Sequence, residues 1–181
     1  MGSTQFIERL SDNIPWHPNA RWDKYFMRIA REVAQNSKCL SRAIGAVLVR
    51  DKQIIGTGYN GPPRGVDECW KRNPNYERKC PRQVMGFKSG QGLEHCIAGH
   101  AERNALIGAA RLGIPTRGAS LVCYCGPPCK DCMIEIINAG IVEIVYWDRG
   151  TTGNFGIWYD ELSEYLCQQS GIIIRGVKID A

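Results

Sequence analysis

Apolar residues recur at steps of three and four from Arg21 to Gln35, through Trp22, Tyr25, Phe26, Ile29, Ala30 and Val33. That spacing predicts a helix. Next come two short β-prone runs, Ile44–Arg50 and Gln53–Tyr59; Asp51-Lys52 between them predicts a hairpin, which Asn60-Gly61-Pro62-Pro63 terminates. From Pro62 to Gly99 the periodicity is lost, leaving a long loop that carries Cys69, Cys80, His95 and Cys96 and needs an anchor. The Ala- and Leu-rich stretch His100–Leu112 predicts a helix stopped by Gly113 and Pro115. A strand follows at Ala119–Cys125, then a helix at Cys129–Ala139 that starts just past Pro127-Pro128 and ends at Gly140. A strand at Ile141–Trp147, a helix at Trp158–Gln169 and a strand at Ile172–Val177 complete the order. Strands alternating with helices imply an α/β fold, its sheet covered on both faces and made mixed by the opening hairpin.

The totals narrow the class. A chain of 181 residues suits one domain, residues 1–181, with 62–99 as a cysteine-bearing loop insertion. Its hydrophobic fraction of 44% and charged fraction of 23% are those of a soluble globular protein. Met1–Leu10 shows neither a basic leader nor an apolar core, and no stretch has the length of a membrane span, so the expected location is cytoplasmic with no membrane partner. Nine cysteines, an odd number without a secretory signal, point to metal ligands and free thiols over a disulfide framework. The net charge of +5 suits phosphorylated small molecules. The basic residues (Arg21, Lys24, Arg28, Arg31, Arg42, Arg50, Lys52) are scattered and form no dense block, so stable nucleic-acid binding is not expected.

Candidate chemistry gathers at two expected helix starts. His100-Ala101-Glu102 opens one and Pro128-Cys129-Lys130-Asp131-Cys132 the next. A Cys-x-x-Cys pair at a helix start turns both sulfurs the same way, and the helix dipole there favours thiolates. One imidazole and two thiolates fill three tetrahedral positions of zinc and leave the fourth open, as in catalytic sites. Glu102, two residues from His100, then stands beside the open position as a proton carrier. Alone, Cys-x-x-Cys would equally suit a redox pair or half of a structural zinc site; His-x-Glu with Pro-Cys-x-x-Cys is the known signature of zinc nucleobase deaminases.

With these motifs the chain resembles the deoxycytidylate (dCMP) deaminases of the cytidine/deoxycytidylate deaminase superfamily, phage and bacterial members included. The resemblance runs through Asp23-Lys24-Tyr25-Phe26-Met27, Ser37-Lys38-Cys39, Ile44-Gly45-Ala46-Val47, Gly58-Tyr59-Asn60-Gly61, His100-Ala101-Glu102-Arg103-Asn104-Ala105 and Ala139-Gly140-Ile141. It implies a three-layer cytidine deaminase-like fold with a central mixed five-stranded sheet. The implied reaction is hydrolysis of dCMP to dUMP and ammonia, with Glu102 protonating N3 and aiding the departure of ammonia, the Ala101 backbone holding the pyrimidine edge, and Asn60 on the sugar. It further implies a hexamer activated by dCTP and inhibited by dTTP, with Gly58, Tyr59, Asn60, Gly61 and Arg111 at the effector site and Mg2+ accompanying the triphosphate.

Several phage and bacterial relatives also carry a second, structural zinc, and the resemblance implies Cys39, Cys69, His95 and Cys96 as its ligands here, with Cys80 in reserve. Arg42 is a candidate for the substrate phosphate, since a guanidinium matches phosphate oxygens. Cys123 and Cys125, alternating with Tyr124, read as packed thiols, Cys167 as core or surface, and His17 as having no metal role. The rival readings are a tRNA or single-stranded DNA deaminase with the same zinc constellation, and a non-catalytic zinc-stabilised nucleotide-binding module.

Overall fold

The computed structural model describes residues 20–88, 90–149 and 161–179. The first described helix, α1, spans Ala20–Ala34 and buries Phe26, Met27 and Ala30 against Val47, Val49, Val122 and Val145 of the sheet. The expected hairpin forms from β1 (Gly45–Arg50) and β2 (Gln53–Tyr59). Asp51 and Lys52 at its tip both take positive φ, 51° and 61°, the pairing that matches a two-residue turn to the twist of the strands.

β3 (Ser120–Cys123) pairs antiparallel with the other side of β1; β4 (Glu143–Trp147) and β5 (Ile173–Val177) then continue in parallel. The result is a mixed five-stranded sheet in the order β2-β1-β3-β4-β5. Side chains alternate across it. Val47 and Val122 face α1, whereas Ala46, Leu48, Leu121, Cys123, Ile144 and Ile174 face the opposite layer. That layer holds α3 (Ala101–Arg111), α4 (Lys130–Asn138) and α5 (Glu161–Ser170), through residues such as Ala105, Met133, Ile136 and Cys167. Among the described residues, the three layers are therefore one helix, the sheet, and three helices.

Two glycines show how the sequence sets this geometry. A Cβ on Gly58 would lie 2.3 Å from both the Ala101 oxygen and the Ala105 nitrogen, so only glycine lets β2 touch the backbone of α3. Gly140, with φ of 73°, ends α4 in the left-handed conformation that favours glycine. At the far edge, Arg175 of β5 donates from Nε to Glu143 of β4 at 2.8 Å and from Nη2 to Asp23 of α1 at 2.7 Å, with Nη1 also on Asp23. This largely buried network joins α1 to the parallel half of the sheet.

The sequence leaves 62–99 as a loop; the structure gives it local order. Three 3-10 turns, Cys69–Arg72, Pro74–Tyr76 and Leu93–His95, flank α2, the four-residue helix Pro81–Val84. The expected strand Ala119–Cys125 is shorter, because the chain bends at Tyr124 and Cys125. Met1–Leu10, His17 and the first residues of the expected helix Trp158–Gln169 lie outside the described residues. Among the described residues, no helix is long and apolar enough to cross a membrane.

Candidate metal centre and active site

The end of β2 and the start of α3 are clasped together before any functional side chain is placed. Gly61 and Gly99 exchange backbone hydrogen bonds, the Gly61 N–H donating at 3.2 Å and the Gly99 N–H at 2.9 Å. Asn104 adds a further tie, donating from Nδ2 to the Tyr59 carbonyl at 2.8 Å. His100, with φ and ψ of −71° and 154°, is the capping residue of α3, and Cys129, at −68° and 165°, caps α4. Both helices thus begin beyond the same end of the strands, where β2 and β3 finish, and turn their first side chains toward each other.

His100 Nδ1 lies 3.5 Å from Cys129 Sγ and 3.3 Å from Cys132 Sγ. Zinc bonds of about 2.3 Å to sulfur and about 2.05 Å to nitrogen would place such atoms roughly 3.5 Å apart around a tetrahedron. Both imidazole–sulfur separations match that spacing. All three ligand atoms come within 4.8 Å of one another. Cys129 is held as a thiolate, its pKa lowered by the hydrogen bond from Cys132 and, after that, by the one from His100. The Cys132 thiol is pushed up by donating that bond and then by burial. His100 is raised chiefly by its bond to Cys129. A dication would take the place of these shared protons and favour both thiolates.

Glu102, on the first turn of α3, is only 5% exposed. Burial raises its pKa, the condition that lets a carboxyl hold and release a proton near neutrality. Beside it, Arg103 donates from Nε to both carboxylate oxygens of Glu135 at 2.9 Å and so links α3 to α4. Neither this pair nor the Asn104 tie is visible as an interaction in the sequence, because each partner is remote along the chain.

Asn60 is 6% exposed and already well used. Its Oδ1 accepts from Ser37 Oγ at 2.7 Å and from the Ile44 N–H at 2.9 Å, and its Nδ2 donates to the Arg42 carbonyl at 2.9 Å. An amide has two N–H hydrogens, so one remains for a ligand. Ala101 is fully buried in the first turn of α3, with Gly58 against its carbonyl. Tyr59 is 40% exposed, Gly61 is bonded to Gly99, and Arg42 and Arg111 are exposed, Arg111 in the last turn of α3.

The remaining candidates meet in a separate cavity lined by Cys39, Leu40, Cys69, Cys80, Pro81, Arg82, His95 and Cys96. The Cys69 thiol is pushed up by burial first and then by the charges of Cys96 and Cys39, which marks these three as electrostatic neighbours. His95 stacks on Phe87 with ring centroids 5.6 Å apart. Arg82 was not singled out by sequence, yet it is 9% exposed, donates from Nη1 to the Gln91 carbonyl at 2.7 Å, and leaves Nε without a partner. Among the described residues, groups of three ligand atoms within 4.8 Å occur as His100, Cys129, Cys132 and as Glu102, Cys123, Cys125; the cavity thiols are not so tightly drawn together.

Residues 20–148 match the family model described as the cytidine and deoxycytidylate deaminase zinc-binding region. The chain is 41% identical over 155 residues to the deoxycytidylate deaminase of Schizosaccharomyces pombe, an alignment covering 85% of this chain and 43% of that relative. To the deoxycytidylate deaminase of Mycobacterium phage D29 it is 38% identical over 130 residues, covering 69% of this chain and 93% of the phage protein. It thus spans less than half the length of the S. pombe relative, and 44% of the Saccharomyces cerevisiae one. In fold it is similar to the dCMP deaminase of cyanophage S-TIM5 in complex with dCMP and dUMP, with a TM-score of 0.62 at 23% identity, covering 91% of this chain and 99% of the other.

Proposed function

The chain belongs to the cytidine and deoxycytidylate deaminase family, and from that premise we propose that it catalyses the hydrolysis of dCMP to dUMP and ammonia. The observation that carries this reading is a zinc-sized His100, Cys129, Cys132 cluster with the buried carboxyl of Glu102 beside it. Zinc held by these three residues would supply Lewis acidity to a water nucleophile. Glu102 takes a proton from that water and delivers it to N3 of the pyrimidine. A later transfer through the same carboxyl accompanies loss of the amino group as ammonia, so one buried acid serves both halves of the reaction. The Ala101 backbone holds the pyrimidine edge, the remaining Nδ2 hydrogen of Asn60 reaches the sugar, and the exposed Arg42 takes the phosphate.

Regulation and assembly extend the reading: dCTP with Mg2+ activates, dTTP inhibits, and Gly58 to Gly61 with Arg111 form the effector contacts in a cytoplasmic hexamer. Exposed apolar side chains on the helical layer, Ile107, Leu112 and Ile134, support self-association. A second zinc belongs in the cavity of Cys39, Cys69, Cys80, His95 and Cys96. The buried Arg82 with its free Nε supports this, since a thiolate-rich metal centre is anionic and needs a nearby cation.

Ammonia release from dCMP, deoxycytidine and a single-stranded oligonucleotide, each with and without dCTP and dTTP, tests the reading. Turnover of dCMP that rises with dCTP and falls with dTTP is expected. Preference for the oligonucleotide would overturn the substrate assignment.

A further inference from the structure

We propose that Cys123, Cys125 and Glu102 form a second, soft-metal site whose occupation removes Glu102 from catalysis. Cys123 ends β3 on the face beneath α3 and is fully buried, while the chain then leaves the strand, so that Cys125 returns to the same side with part of its surface open. The two sulfurs and a Glu102 carboxylate oxygen lie within 4.8 Å of one another. Tetrahedral coordination by two thiolates and a carboxylate needs separations of about 3.5–3.8 Å, so only a small closure is required. Cys125 Sγ donates to the Gly126 carbonyl at 3.1 Å, which holds the sulfur at the mouth of the site, where an ion would enter.

This set shares no residue with His100, Cys129 and Cys132, so binding here displaces no ligand of the first centre. Two sulfur donors select soft or borderline ions, such as cadmium, mercury, cuprous copper or excess zinc, over magnesium or calcium. On binding a dication, two metal–sulfur bonds and one metal–oxygen bond form, and the two thiol protons, with any proton held by Glu102, pass to solvent with no change of oxidation state. A carboxylate bound to a dication is a much weaker base through either oxygen and no longer takes up the proton it would carry; that consequence rests on the deaminase reading, whereas binding itself does not.

The test titrates the zinc-loaded enzyme with cadmium chloride under anaerobic reducing conditions, following thiolate-to-cadmium absorbance, bound metal and dCMP turnover. The expected result is that the native chain binds one cadmium more than the Cys123→Ala/Cys125→Ser variant without releasing zinc. Its turnover should fall at least tenfold, reversibly with chelator, while the variant keeps its activity at the same cadmium concentration. Because Cys123 is buried, Cys125→Ser alone provides a second comparison and should lose the same equivalent. Equal cadmium uptake by native and variant chains would overturn the site. If neither chain turned over dCMP, the uptake and absorbance differences would still decide it.

Discussion

Around His100, Cys129 and Cys132 the donors sit at the starts of two helices that rest on the central sheet, and their atoms already have the spacing of a metal's coordination shell. Around Cys39, Cys69, Cys80 and Cys96 the donors come from irregular chain, short turns and the residue capping a four-residue helix, and they share a cavity without being drawn into a shell. The difference lies in support. α3 is in backbone contact with β2 at Gly58 and α4 buries Met133 and Ile136 in the core, so the first set is positioned by the fold. Residues 62–99 bury little apolar surface of their own, and a metal there would position the loop in place of the reverse.

Breaking the first region should have the largest effect. Glu102→Gln is expected to lower deamination about 10²- to 10⁴-fold, the usual range for losing a general acid–base, with bound metal unchanged on elemental analysis. Loss of metal in this variant would mean that the carboxyl acts as a ligand. In the second region, Cys69→Ser should remove one metal equivalent per chain and open residues 62–99 to limited proteolysis, yet leave the metal at His100 in place. Were both equivalents lost, the two regions would not be independent.

Arg82→Gln sharpens the contrast at lower amplitude. By removing the cation beside the thiols it should weaken metal retention in the cavity roughly 10- to 100-fold in a chelator competition, without altering retention at the His100 site. The smallest effect is expected for Arg103→Ala. Its pair with Glu135 is more than a third exposed, so about 0.2–1 kcal/mol is at stake in thermal or denaturant unfolding. Metal affinity at the adjoining helix starts should fall only slightly: the Arg103 charge favours the thiolate of Cys132, while sheet packing holds the ligand backbone in place.

Much of the molecule was legible along the chain. α1, the hairpin and the parallel strands carry strong periodicity and clear stops, and His-x-Glu with Cys-x-x-Cys states its own spacing. The turns within 62–99 were not legible, since segments of three or four residues have no period to detect and their order depends on what they pack against. Arg82 was hidden for a similar reason: arginine in a polar stretch reads as surface until burial is known.

Cys123 and Cys125 show the boundary most sharply. Alternation about Tyr124 determined that the two thiols share a side, and helix-start spacing determined that Cys129 and Cys132 converge, because both follow from local backbone geometry. Only the tertiary structure decided that the first pair faces Glu102 and that the second faces His100. Those encounters depend on the close approach at Gly58 and on the pairing of β1 with β3, contacts between segments far apart in sequence whose distance no local pattern encodes.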